Sequence, residues 1–122
     1  MPWEFDPNQP IYVQLVERIK VMIVSGELPQ GSKLNSVRDL AQEAGVNPNT
    51  MQRALAELER EALVYSQRTS GRFVTEDCTL IEKMRAEFAQ HKVQGVIESL
   101  LKLGYSQEEL KRLIHDYLEE MK

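Results

Sequence analysis

Between Ser36 and Leu58 the chain holds signals for two helices with almost nothing between them. Ser36, with Asp39 three residues on, marks a helix start, because its hydroxyl can accept from a free backbone N–H of the first turn. Leu40, Ala41 and Ala44 supply an inner face, and Gly45 is suited to the left-handed conformation that ends a helix. Only Val46 precedes the next cap, Asn47, and Pro48 then takes the first helical position, where its missing N–H does no harm. The following helix buries Met51, Ala54, Leu55 and Leu58, spaced by 3, 1 and 3 residues. Helix, tight glycine turn, helix is the arrangement of a helix-turn-helix.

The flanks extend this unit. Before it, Tyr12, Val16, Ile19 and Ile23 step by 4, 3 and 4, with Leu15 and Met22 widening the stripe, so a helix runs from Pro10 to about Ser25-Gly26. A Pro- and Gly-punctuated turn follows at residues 27–31. After it, Leu63–Ser66 and Arg72–Thr75 are β-prone runs around the polar turn Gln67-Arg68-Thr69-Ser70-Gly71, which reads as a hairpin, or wing. Trp3 and Phe5 precede the first helix, and the sequence does not decide whether they pack on the domain or on a partner.

From Glu76 the pattern becomes helical to the end. Leu80, Ile81, Met84 and Phe88 form one stripe, and Val96, Ile97, Leu100 and Leu101 another, with a slip of phase around residues 91–93 that leaves one long helix or two pieces open. Gly104 is a stop, and Ser106 with Glu109 forms a capping box. Leu110, Leu113, Ile114, Tyr117, Leu118 and Met121 then make a clean amphipathic stripe. Two helices alone cannot bury so many large apolar side chains, so they need a second surface, either the wing domain or an identical subunit. The fold class is therefore mainly α with a small β-hairpin: a winged helix-turn-helix over residues 1–75, followed by a C-terminal helical hairpin over 76–122.

The excluded classes are as informative. The 122 residues contain no apolar run near the ~18 that cross a bilayer, and the first residues have no basic, apolar secretory pattern, so a cytoplasmic location is expected. Cys78 is the single cysteine, which excludes a disulfide framework, and His91 and His115 have no companions at ligand spacing, so no metal is expected. No nucleophile–base set or phosphate loop is present, so neither catalysis nor a cofactor is expected.

Net charge is −4, which by itself disfavours a phosphate backbone as partner. Location matters more than the total. The first 75 residues carry 8 basic and 9 acidic side chains, the remaining 47 carry 7 and 10, and no acid lies between Ala62 and Thr75. At about 100° per residue, Asn49, Arg53, Ala56 and Arg60 fall opposite the buried stripe of the third helix, with Gln52 and Thr50 at its borders. Asn and Gln can pair with adenine and Arg with guanine in the major groove of double-stranded DNA. Arg68 and Arg72 make the hairpin basic beside that face.

Residues 11–74 resemble the winged helix-turn-helix of the GntR family of bacterial transcription regulators. The resemblance lies in Pro10-Ile11-Tyr12-Val13-Gln14-Leu15, in residues 26–34, in Ser36-Val37-Arg38-Asp39-Leu40-Ala41, in residues 45–55 and in Gly71-Arg72-Phe73-Val74. The short tail, the Asn47-Pro48-Asn49-Thr50 turn and residues 104–110 are similar to its YtrA-like subfamily. The resemblance implies a homodimeric repressor on a palindromic operator, with the helical tail of residues 76–122 and its apolar stripes as the dimerisation domain, and with Ser36, Arg38, Asn47, Asn49, Thr50, Gln52, Arg53 and the wing residues Arg68, Thr69, Ser70, Gly71 and Arg72 at the DNA. It leaves room for a small-molecule effector of unknown identity. Three positions depart from the family pattern: Asn35 replaces a proline, Thr69 a wing glycine and Arg72 a threonine. The alternative is a winged-helix adaptor that binds proteins without reading DNA.

Overall fold

Local signals and burial build the first unit of this computed structural model, which describes residues 3–122. Helix α1, Ile11–Val24, follows Pro10 and buries Leu15, Val16, Ile19, Met22 and Ile23. Helix α2, Val37–Ala44, starts at Ser36, whose side chain accepts from the Asp39 N–H, and ends at Gly45 with φ +78°. Helix α3, Pro48–Arg60, buries the expected Met51, Ala54, Leu55 and Leu58. It packs on both α1 and α2, so a core of interdigitated Leu, Ile, Met and Ala side chains fixes its position.

Strands β1, Val64–Gln67, and β2, Gly71–Val74, form the antiparallel hairpin, paired from Val64 with Val74 to Gln67 with Gly71. Tyr65 and Phe73 stack across it with centroids 5.6 Å apart. A further pairing joins them: Lys33 bridges Phe73, Leu34 N–H donates to Arg72 O at 2.9 Å, and Val74 N–H donates to Ser32 O at 2.9 Å. The segment before α2 thus runs alongside the second wing strand. Trp3 joins this unit through its N–H to Ala44 O at 3.2 Å, with the Arg18 guanidinium 5.1 Å from its ring centroid.

Helix α4 is one continuous helix, Cys78–Leu101, with the Asp77 carboxylate accepting from the Leu80 N–H at its start. The first compact unit extends to Arg85 and includes the first two turns of α4; the second, Ala86–Lys122, holds the rest of α4 and α5, Gln107–Glu120. Gly104, at φ +96°, ends the first helix of that unit, and the Ser106–Glu109 capping box opens the next. On α5 only Leu110 is buried, while Tyr117, Leu118 and Met121 are 64%, 58% and 69% exposed.

Candidate nucleic-acid interface

The candidate surface begins with the turn between α2 and α3. Gly45 reverses the chain in a left-handed conformation, and its N–H donates to Ala41 O at 2.8 Å. Asn47 Oδ1 then accepts from the Asn49 N–H at 2.7 Å, so the first turn of α3 is capped and fixed. Asn49, Gln52 and Arg53 are exposed on that turn and the next, with Thr50 half-buried at the border. The core pins the opposite face, so these polar side chains stand on a rigid support.

The two arginines of this face are in different situations. Arg60 donates to the Glu57 carboxylate through Nε at 2.8 Å and through a second guanidinium nitrogen. The hydrogen bond from Arg60 holds the Glu57 carboxyl below its ordinary range, and Glu57 in turn raises Arg60. Arg53 instead has its guanidinium carbon 3.9 Å from the centroid of the Tyr12 ring on α1. Tyr12 is half-buried and supports that cation, rather than joining the buried stripe of its helix.

The wing contributes a different cation. Arg68, Thr69 and Ser70 are exposed in its turn. The turn needs a positive φ only at Gly71, at +104°; Thr69 is not among the residues with positive φ, so its side chain costs no strain there. Arg72 is held back on β2: its Nε donates to Glu59 Oε1 on α3 at 2.7 Å, and Ser66 Oγ donates to the same oxygen. These donors, Ser66 first and then Arg72, lower the Glu59 carboxyl against the opposing effect of burial. Arg38 is exposed on the first turn of α2. Ser36 and Asn47 are exposed too, but their side-chain oxygens already serve as helix caps.

Sequence reasoning missed Lys33 and the role of Tyr12. The pairing of residues 32–34 with β2 carries Lys33 to the wing, where its Cε lies 3.1 Å from the position a β-carbon would take on Gly71. No local spacing signals such a pairing. The described residues contain no cluster of three or more His, Cys, Asp or Glu that could hold a metal ion.

Residues 11–74 match the bacterial regulatory proteins of the gntR family. The chain belongs to the gntR family. It is 33% identical to the uncharacterized HTH-type transcriptional regulator YhcF of Bacillus subtilis, over 95% of this chain and 96% of the relative. It is likewise 33% identical to the HTH-type transcriptional repressor YtrA of the same organism, over 97% of this chain and 90% of the relative. A solved GntR family transcriptional regulator from Listeria monocytogenes superposes with a TM-score of 0.83 at 39% identity, covering 92% of this chain and 98% of that one. AraR(DBD), solved in complex with operator ORX1, superposes at 0.55 and 28% identity, over 62% of this chain and 99% of that one. Membership makes this gntR-family chain a transcription regulator of the YtrA-like kind with a winged helix-turn-helix, and not an enzyme. No described helix is long and apolar enough to cross a membrane.

Proposed function

We propose that this regulator is a cytoplasmic homodimer that represses transcription by reading a palindromic operator in double-stranded DNA. The observation that carries the reading is the exposed Asn49–Gln52–Arg53 face on the capped, core-supported start of α3. Such a helix places its N-terminal residues at base edges in the major groove. Asn49, Gln52 and Arg53 select bases, with Thr50 at the border of the contact. Ser36, Arg38 and Asn47 flank the groove, and Arg68, Thr69, Ser70 and Gly71 meet the backbone from the wing, with Lys33 and Arg72 beside its turn. The AraR(DBD)–operator complex and the repressor YtrA support this use of the fold.

The second unit, residues 86–122, serves as the subunit contact in this reading. Leu113, Ile114, Tyr117, Leu118 and Met121 expose an apolar face on α5, and Ala89, Val93 and Ile97 line an open groove along α4. Phe88, Val96, Leu100, Leu101 and Leu110 complete the stripes of this unit, and Leu80 and Met84 continue them on the first two turns of α4, in the first unit; Met84 and Leu110 are buried within the chain. A two-fold dimer presents two α3 helices to two half-sites, and a small-molecule effector would act on their separation.

The test is selection from a random duplex pool by the purified protein. A two-fold symmetric enriched motif, with binding that weakens steeply with salt, is the expected outcome. A folded dimer that enriches no sequence would overturn the reading.

A further inference from the structure

We propose that Tyr12 is a positioning residue for base selection: its ring holds the Arg53 guanidinium at the exposed start of α3, ready for one base pair. The inference rests on the reading of α3 as the helix that meets DNA.

A surface arginine on a helix ordinarily meets one of two fates. It samples many rotamers, or it is claimed by a carboxylate three or four residues away. Arg60, seven residues further along α3, shows the second fate with Glu57. Arg53 shows neither. Its guanidinium sits 3.9 Å from the Tyr12 ring centroid, well inside the ~6 Å reach of a cation–π contact. Among the described residues it makes no hydrogen bond and no ion pair. The ring therefore confines the side chain without engaging its N–H groups on a carboxylate. A bidentate arginine contact to guanine uses two of those N–H groups, and restraining their plane beforehand lowers the entropy cost of making it.

The helix turn that carries the platform is held in place by its neighbours. Tyr12 lies in the first turn of α1, where Gln14 Oε1 accepts from the Asp6 N–H at 2.7 Å and Gln14 Nε2 donates to Asp6 O at 2.9 Å and Gln9 O at 3.1 Å. Below it, Leu15 and Ile19 are buried in the core that also buries Met51 and Leu55 of α3. A ring on a turn held in this way has little room to move, and a cation resting on it loses less freedom when a base arrives than one in free solution.

The experiment uses the full-length protein and the duplex most enriched from a random pool, with each position of one half-site varied in turn. Arg53→Ala, Tyr12→Leu and Tyr12→Phe are compared with the original chain, and folding is checked by thermal unfolding. Tyr12→Leu is expected to reduce discrimination about two- to fivefold at the same base pair that Arg53→Ala relaxes, and to leave the other positions unchanged. Tyr12→Phe, which keeps the ring face, is expected to retain it. If Arg53→Ala relaxes a position and Tyr12→Leu does not, the positioning role is overturned while the DNA-reading role of α3 stands. If Arg53→Ala changes no preference, the reading of α3 is itself overturned, and the inference with it. Should Tyr12→Leu not fold, the Arg53 side-chain protons of the free original protein decide: an upfield ring-current shift supports the contact, and ordinary positions overturn it.

Discussion

Arg72 of the wing donates its Nε proton to Glu59 of α3 at 2.7 Å, and Ser66 donates to the same carboxylate oxygen. One acid thus ties both wing strands to the helix beside them. Both partners are largely shielded, with side-chain exposures of 23% and 32%. Glu59→Gln keeps the shape and removes the charge. It is expected to lower stability by about 0.2–1 kcal/mol, the scale of a partly exposed pair. The pH dependence has a definite sign. The Glu59 carboxyl is held below its ordinary value of 4.5 by Ser66 and Arg72, so its contribution is complete above that pH. It is lost as pH falls through the lowered folded value. Thermal unfolding of both proteins should therefore differ at pH 7 and converge progressively below pH 4.5. A constant difference across that range would remove Glu59 as the cause.

Arg68 and Arg72 should also separate in their salt dependence. Arg68 is exposed in the wing turn, whereas Arg72 is occupied by Glu59. Arg68→Ala is expected to reduce the slope of log affinity against log salt by about 0.9, the value for one lost phosphate contact. Arg72→Ala is expected to lower affinity with a smaller change in slope, because its charge is already compensated in the free protein. Equal slope changes would place both side chains on phosphates.

The contrast between these arginines shows what the sequence could tell. Ser36, Gly45, Asn47-Pro48 and the Ser106–Glu109 box are local signals, and each occupies its expected helix boundary. The buried stripe of α3 was equally legible, because period 3.6 alone assigns its inner and outer faces. Contacts between distant segments were not. Glu59 and Arg72 are 13 residues apart, Tyr12 and Arg53 are 41, and Lys33 pairs with Phe73 across 40. Nothing in the spacing of such pairs encodes their approach; the packing of α3 and the hairpin creates it. The continuity of α4 escaped for another reason. Its apolar stripe shifts phase between Phe88 and Val96, but a shifted stripe changes the buried face without breaking a backbone hydrogen bond.

The end of α3 carries a correctable strain. Ala62 has φ +64°, the only described non-glycine residue with positive φ. The exit it forms is hydrogen-bonded: Ala62 N–H donates to Glu59 O and Leu63 N–H to Leu58 O, each at 3.0 Å. For an L-residue this conformation costs roughly 1–2 kcal/mol, whereas glycine adopts it freely but gives up roughly 0.5–1 kcal/mol to a more flexible unfolded chain. Ala62 is exposed, so its methyl contributes little packing. Ala62→Gly is therefore expected to stabilise by about 0.5–1 kcal/mol, read as a raised denaturant midpoint at unchanged slope. A lowered midpoint would mean that this backbone carries no such strain.

The proposed subunit contact has its sharpest test on α5. Leu113 and Ile114 are 41% and 40% exposed and Tyr117, Leu118 and Met121 more so, although all five share the face that begins at buried Leu110. Covering them in a dimer would gain about 25 cal/mol for each Å² removed from water. A carboxylate at Leu118 would have to be buried without a partner in that contact, yet it would stand in water on a free chain. Leu118→Glu is therefore expected to leave the helical content of each chain intact while shifting the sedimenting species from dimer to monomer and lowering the unfolding midpoint, since the contact no longer stabilises the native chain. Binding to a full palindrome should fall far more than binding to an isolated half-site, because only the former uses two linked reading heads. If the variant sediments as a dimer, the subunits meet elsewhere, and the exposed stripe of α5 needs another explanation.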